Sequence, residues 1–332
     1  MVRVAGGPGR LRPHVKTHKC REIVSLQQDA GIVKFKCATI AEAEMLAECT
    51  VQDILLAYQP AGPNLNRYLE LIKKYRRVNF SVLVDNLVTA NKLDRLAAES
   101  KEILQVFIDL DVGMHRTGIE PGPGALDLMH NIKRSNYLKF RGWHVYDGHI
   151  RFKDFQERKQ EVHASFKPVT RLISGQDSSE IIAGGSPTFS VHALNPQVDL
   201  SPGTCLLWDQ GYSHILPDQK FLHAAVLMTR VVSKPTNELL CLDLGHKAVA
   251  SEMGHPRVHF TDLEQVEFLT HSEEHLVIQT PNAVNFEVGD VLYGIPTHIC
   301  PTTALHQELV VVDDGEAVDL WKVFARDRRI NI

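Results

Sequence analysis

The sequence predicts an α/β protein, a parallel (β/α)8 barrel of the TIM type followed by a C-terminal antiparallel β domain. Three observations carry that prediction. Apolar, β-rich runs alternate with stretches whose apolar residues recur at helical spacing. Polar and ionisable residues gather just after those runs, where barrels carry their chemistry. Beyond Trp208 the helical spacing disappears and short runs are separated by turns.

Taken in order, the predicted strands are Leu11–Lys16, Val33–Cys37, Ile54–Tyr58, Phe80–Val84, Val106–Leu110, Phe140–Tyr146, Ile181–Ala183 and Val198–Leu200. Segments such as Ile40–Glu48 and Leu65–Lys74 read as the intervening helices. Eight strands joined by helices close a barrel. An open doubly wound sheet is the alternative, but the first run is not followed by a glycine-rich dinucleotide fingerprint. Ala224–Val232, Glu238–Leu244, His275–Thr280 and Glu308–Val312 read as strands of the second domain. The boundary is expected between Asp209 and Pro217, giving domains 1–212 and 213–332. Met1 to Gly9 reads as the end of a helix and a glycine turn leading into the first strand.

The chain's 332 residues suit a barrel plus a second domain, and 44% hydrophobic with 23% charged residues is globular composition. A net charge of -4 without a basic run argues against nucleic acid or an anionic membrane as partner. No apolar run is long enough to span a bilayer, and no signal peptide precedes the first strand. Six scattered cysteines read as reduced thiols, one of them a possible metal ligand, and the expected compartment is cytoplasmic.

The chemistry is organised around Leu11-Arg12-Pro13-His14-Val15-Lys16-Thr17-His18-Lys19. A lysine at the mouth of a buried strand is poorly solvated, so its amine is easier to keep neutral and nucleophilic. The bland reading is a surface lysine in a basic loop. Other strand ends hold Gln59, Asp85, Asp109, Asp111, His115, Arg116, His144, Tyr146, Asp147, His149 and Ser186. Arg116 reads equally as a structural ion-pair partner of Asp109 or Asp111. Gly184-Gly185-Ser186 and Pro202-Gly203-Thr204 follow the last two strands, where barrels bind phosphate through backbone N–H groups. By themselves they are only turns. His298 and Cys300, two apart on an expected extended segment, would face one side and suit Zn²⁺. That spacing alone is non-specific.

Arg12-Pro13-His14-Val15-Lys16-Thr17-His18-Lys19 resembles the cofactor-lysine motif of the D-threonine aldolase and D-serine dehydratase family, within the alanine racemase (fold type III) group of pyridoxal 5'-phosphate (PLP) enzymes. The resemblance runs from about Leu11 to the end of the chain. It implies that Lys16, rather than Lys19, is the Schiff-base residue. It implies that Arg116, in Asp109 to Gly118, lies near the cofactor's ring oxygen, and that His144 lies against the ring with Tyr146 facing the substrate. Ser186, Gly203 and Thr204 are then the phosphate site. His298 and Cys300 resemble the zinc ligands of the dehydratases, with Mn²⁺ or Mg²⁺ as alternatives, and Asp243 to Lys247 and His271 to His275 would stand behind them. Family members carry a further strand and helix before Leu11, which this chain is expected to lack. The resemblance also implies a homodimer.

The activity so implied is that of a PLP- and metal-dependent lyase of small D-3-hydroxy amino acids. Retro-aldol cleavage, as in a D-threonine aldolase, is favoured because Gly142 to His149 looks closer to that branch. Cys300 favours the alternative, a D-serine or D-threo-3-hydroxyaspartate dehydratase. More remote readings are a non-catalytic PLP-binding barrel and an amino acid racemase.

Overall fold

In a computed structural model of the chain, residues 1–175 and 179–332 are described. They form two compact units, Met1–Gly203 with Phe324–Ile332, and Thr204–Val323. The expected boundary after residue 212 lies inside a helix of the second unit, and the C-terminal segment belongs to the first. Among the described residues no helix is long and apolar enough to cross a membrane.

The first unit begins with a short helix, α1 (Val2–Ala5), and continues with α2 (Arg21–Asp29). Seven parallel strands then lie in sequence order, each beside the next: β1 (Lys34–Cys37), β2 (Asp53–Leu56), β3 (Asn79–Val84), β4 (Leu104–Leu110), β5 (Leu138–Val145), β6 (Glu180–Ala183) and β7 (Asp199–Leu200). Between them run α3 (Ile40–Glu48), α4 (Asn64–Lys74), α5 (Leu87–Ser100), α6 (Pro123–Arg134), α7 (Phe155–Ile173) and α8 (Phe189–His192). Their starts are written locally. The side chains of Thr39, Asn86 and Asp154 accept backbone N–H bonds at the first turns of α3, α5 and α7, and Pro123 opens α6.

The expected first strand, Leu11–Lys16, forms only in part. Leu11 bridges Leu200 of β7 and His14 bridges Lys36 of β1, so this extended segment occupies the eighth position and hydrogen-bonds both edges of the sheet. Arg12 N–H donates to the Leu200 carbonyl (2.8 Å), His14 N–H to Pro202 (2.9 Å) and Lys36 N–H to Pro13 (2.9 Å). The ladder stops there for two reasons. Pro13 has no N–H, and the Lys16 N–H is taken by His14 Nδ1 at 3.3 Å, turning Val15–Thr17 into a single 3-10 turn.

Inside the curled sheet, Leu55, Leu83, Phe107 and Ile182 form an apolar layer. At the N-terminal ends of the strands lies an ionic network. Arg12, fully buried, contacts Asp53, Glu180 (3.2 Å) and Asp199 (3.7 Å), while Arg141 holds Asp53 (2.9 Å) and Glu180 (2.6 Å). Phe107 faces both guanidinium groups, 5.9 Å from Arg12 and 5.1 Å from Arg141. The C-terminal segment closes over the outer helices. Phe324 stacks 3.5 Å from the Arg21 guanidinium, and Arg67 donates to the Ile332 carbonyl at 2.7 Å.

The second unit contains α9 (Gln210–Ile215) and strands β8 (Leu227–Thr236), β9 (Leu239–Leu242), β10 (Val258–Phe260), β11 (Glu267–His271), β12 (Leu276–Gln279) and β13 (Val291–Pro296). These make an antiparallel sheet in the order β10-β13-β8-β9-β12-β11, over a core that includes Val231, Leu240, Leu242, Leu276, Ile278 and Leu292. The helix α10 (Ile299–Leu305) and the hairpin β14 (Glu308–Asp313) and β15 (Glu316–Lys322) complete it.

The ionic network has a testable energetic signature. Although burial raises the Asp53 pKa, Arg12 and Arg141 hold it below the ordinary 3.8. Its contribution to stability is therefore present above about pH 4 and lost as the pH falls through the lowered folded value. Arg12→Met removes one of the two guanidinium groups from these partly buried carboxylates, with Arg141 and Lys34 remaining, and is expected to cost about 1–3 kcal/mol at pH 7. Urea denaturation measures the loss, and the gap from wild type should narrow below about pH 4.

Candidate active site

Lys16 sits in the one-turn 3-10 segment instead of at the end of a strand, and its side chain is half-buried. Among the described residues no hydrogen bond or ion pair engages its amine. Lys19, three residues on, is committed. Its ammonium pairs with the buried Glu42, whose other oxygen accepts the Ala38 N–H at 2.6 Å at the start of α3. His14 and His18, either side of Lys16, are both buried. Desolvation drives His18 down to about 3 and His14 well below the usual range, so both rings are neutral. Their Nδ1 atoms accept backbone N–H bonds from Lys16 and Cys20, which sets the shape of the turn.

At the C-terminal ends of β4 and β5, Asp109 and His144 lie opposite one another in register, with His144 Nδ1 2.6 Å from Asp109 Oδ1. Burial lowers the His144 pKa, reinforced by the nearby Lys36 and opposed by Asp109. Burial raises that of Asp109, but His144, Thr117 and Lys36 outweigh it and keep the carboxyl ionised. An ionised Asp109 can only accept, so the neutral imidazole carries its proton on Nδ1 and turns the Nε2 lone pair the other way. There it meets Lys36 Nζ at 3.4 Å. Arg116 does not pair with Asp109 or Asp111 as one of its readings had it. Its guanidinium lies 4.9 Å from the centroid of the Tyr146 ring, while Asp111 binds the His115 ring (2.9 Å) and the backbone N–H groups of Gly113 and His115. Asp85 holds Gln59 (2.7 Å) and the Gly118 N–H (3.0 Å).

Lys36 was not singled out from the sequence. A signal was there: Lys34 and Lys36 alternate within a short buried strand, so both side chains take the same face. That face is the barrel interior, where Lys34 reaches Asp199 at 2.6 Å and Lys36 reaches His144.

The loop after β6 is braced from beneath. Buried Asp147 accepts from Thr188 Oγ1 (2.6 Å) and contacts His192 Nε2 (2.7 Å), which fixes the turn through Gly184 and Gly185. A Cβ on Gly184 (φ +76°) would lie 2.8 Å from the His192 ring. Ser186 then receives the Gly203 N–H at 3.3 Å. At Gly203 a Cβ would sit 2.9 Å from the His14 carbonyl oxygen, which only glycine permits, so the turn after β7 abuts the Lys16 segment. Thr204 follows it, buried, as the first residue of the second unit.

In the second unit His298 and Cys300 are not on an extended strand. His298 is the N-cap of α10 and Cys300 lies in its first turn, because the Ile299 N–H is captured by Asp209 Oδ2 at 3.1 Å. The two side chains nonetheless meet. Desolvation works against the His298 proton, yet Cys300, Glu252 and Asp209 push the imidazole up to about 9. Glu252 holds His298 Nδ1 at 2.5 Å, leaving Nε2 for a metal, and Cys300 Sγ lies 3.3 Å from Thr204 Oγ1. An imidazole, a thiol and a carboxylate on the far ring nitrogen fit two ligands of a divalent metal. Among the described residues no three His, Cys, Asp or Glu side chains form a complete cage. The segments expected to stand behind the pair do other work. Asp243 binds Thr229, Lys247 pairs with Glu273 and Glu274 at the surface, and His271 contacts Arg257.

A parallel barrel with an uncommitted lysine after its first extended segment, a carboxylate-held histidine at a strand end and glycine turns after its last strands defines a class: the alanine racemase type of PLP barrel. The chain belongs to the family described as alanine racemase, N-terminal domain, which matches residues 1–208, and residues 224–312 match the putative serine dehydratase domain. The family is PLP-dependent. The chain is 29% identical over 328 residues to a D-threonine aldolase of Arthrobacter sp, covering 95% of this chain and 85% of the relative. It is 26% identical to a 3-hydroxy-D-aspartate aldolase of Paracoccus denitrificans, over 96% and 85% of the two chains. The crystal structure of D-threonine aldolase from Filomicrobium marinum superposes with a TM-score of 0.88 at 26% identity, over 96% of this chain and 88% of that one. The resemblance read from Arg12 to Lys19 and the barrel architecture are both borne out.

Gly203→Ala tests the turn against the Lys16 segment. The added methyl must displace the His14 backbone, an overpacking cost of about 1–3 kcal/mol. The expected result is a lowered denaturation midpoint together with weakened PLP uptake in equilibrium dialysis.

Proposed function

We propose that the chain is a PLP- and divalent-metal-dependent lyase of D-3-hydroxy amino acids that cleaves Cα–Cβ to release glycine and an aldehyde. One observation carries the reading. Of the two lysines in the motif, Lys16 is uncommitted, whereas Lys19 is paired with Glu42, and the same barrel holds a neutral, carboxylate-oriented His144 at a strand end. The similarity to a D-threonine aldolase over 95% of the chain supports it.

When bound, PLP supplies the electron sink and a metal, proposed to be Zn²⁺, the Lewis acid for the substrate's 3-hydroxyl. The remaining work falls to this chain's residues. The Lys16 amine holds the cofactor covalently, and Arg116 supplies positive charge for the ring oxygen. Ser186, Gly203 and Thr204 receive the phosphate. His144 lies against the ring, its orientation set by Asp109. Tyr146 is the group proposed to take the 3-hydroxyl proton, as retro-aldol cleavage requires, with His144 the alternative once its Nε2 parts from Lys36. His298 and Cys300 hold the metal, with Glu252 behind the imidazole.

A dehydratase is the second reading. It is favoured by Cys300 and by the match of residues 224–312 to the serine dehydratase domain. In that reading Lys16 takes the α-proton and the 3-hydroxyl leaves.

Borohydride reduction followed by peptide mapping is expected to place the PLP adduct on Lys16. Lys16→Ala abolishes it, and Lys19→Ala retains it at reduced stability. An adduct on Lys19 overturns the assignment. Side-by-side assays of D-threonine and D-serine should give glycine and acetaldehyde from the first and little pyruvate from the second. Oxo acids as the main products select the dehydratase. The His298→Ala/Cys300→Ala double variant should lose bound metal by elemental analysis while keeping the borohydride-fixed PLP.

A further inference from the structure

We propose that Lys36 is a positioning residue of the barrel site: it holds a titratable proton against His144 Nε2, beside Lys16, and sets the pH at which the site changes state. The inference rests on the reading of Lys16 as the PLP lysine, and it assigns a second amine to the same site.

Geometry comes first. Lys36 is 2% exposed on the inner face of β1, and its Nζ lies 3.4 Å from His144 Nε2 and 5.8 Å from the centroid of the Tyr146 ring. Asp109 sits on the opposite nitrogen of the same imidazole. The three side chains form a line, carboxylate to imidazole to amine, in which Nδ1–H donates to Asp109 and Nε2 accepts from Lys36. Lys36 donates to Nε2 whether charged or neutral, so the line survives a change in its charge.

The groups that face Lys36 decide its proton. Asp109 on β4 and the neutral ring of His144 on β5 favour or tolerate the ammonium. Lys16 and the neutral His14 on the 3-10 segment, Arg12 below and Arg116 above do not offset its burial. Desolvation first, then the charge of Lys16, bring the Lys36 pKa down to about 7. A lysine that serves only to fill or brace a barrel is paired with a carboxylate, as Lys34 is with Asp199. Lys36 has instead been placed among cations and against an imidazole, an arrangement that destabilises the folded chain at neutral pH and so marks function.

Stability carries the same signature. The folded pKa near 7 lies below the unfolded value near 10.5, so between them the unfolded chain binds one more proton and stability rises with pH. For one group this is about tenfold in the folding equilibrium constant per pH unit.

The experiment uses the full chain and two variants, Lys36→Met, which has no charge, and Lys36→Arg, which keeps it at every pH. With PLP bound, which alters the Lys16 charge, the visible absorbance of the wild type is expected to titrate with a midpoint below the ordinary lysine range. Lys36→Met should hold the high-pH spectrum and Lys36→Arg the low-pH spectrum across that titration. In the PLP-free chain, the wild-type urea midpoint should climb from pH 7 to 10, and Lys36→Met should lack that climb and be at least as stable at pH 7. Identical spectral titrations in all three proteins overturn the proposal, as does a Lys36→Met chain less stable than wild type at pH 7 with an unchanged pH slope. If neither variant folds, ¹⁵N NMR of lysine Nζ in wild-type protein decides. A Lys36 midpoint near 7 supports the proposal, and one above 9 overturns it. Should borohydride fix no PLP on Lys16, the function above fails, while the PLP-free measurements still read Lys36.

Discussion

The first unit depends on one constraint: a short extended segment, Leu11–His14, must hydrogen-bond two sheet edges at once. Its N–H groups reach β7 and its Pro13 carbonyl receives β1, so β1 and β7 are tied through it without pairing directly. Proline serves this role because it leaves a carbonyl to offer while withdrawing a donor from the ladder. His14 then turns the chain through its own side chain. The lysine that comes next but one is therefore lifted off the strand, and Gly203 closes against the His14 carbonyl from the other side.

Beneath that closure the barrel interior is stratified by charge. Arg12, Arg141 and Lys34 are neutralised by Asp53, Glu180 and Asp199 at the N-terminal ends of the strands. The apolar layer with Phe107 separates them from the opposite end. There Lys16, Lys36 and Arg116 gather with Asp109 as the acidic group near Lys36. An excess of positive charge in a partly desolvated mouth suits an anionic ligand, as the phosphate and ring oxygen of PLP are in the proposed function. The neutral His144 fits the same logic, since a further cation there would meet strong repulsion.

Much of this was legible in the sequence. Alternation of strand and helix specified the barrel because each βα unit must bury one face of a strand under a helix, and seven of the eight expected runs became strands of the sheet. The eighth was misjudged as a continuous strand, since apolar pattern alone does not register the missing Pro13 donor or the His14 side chain as an acceptor. The strand-end rule picked out Lys16, Asp109, Arg116, His144, Tyr146 and Ser186 as candidates, and of these the fold brings Asp109 to His144 and Arg116 to Tyr146. The rule missed Lys36, which lies within its strand one layer below the ends. It likewise missed Glu252, which is 46 residues from His298 in the chain and meets it only through the fold.

By itself the sequence determined the architecture and the family, because strand–helix alternation follows from local periodicity and the lysine motif carries the resemblance, and it supplied the candidate site residues. Tertiary structure alone decided which of them are committed. Composition does not tell Lys16 from Lys19; the motif's resemblance favoured Lys16, and the approach of Glu42 from α3 is what commits Lys19. Asp109 and Asp111 are two residues apart, yet one holds His144 and the other a surface turn. Lys36 becomes a titrating group only when closure of the barrel removes it from water and sets it among cations. Burial and the distances between distant segments govern proton affinity, and neither is a property of neighbours in sequence.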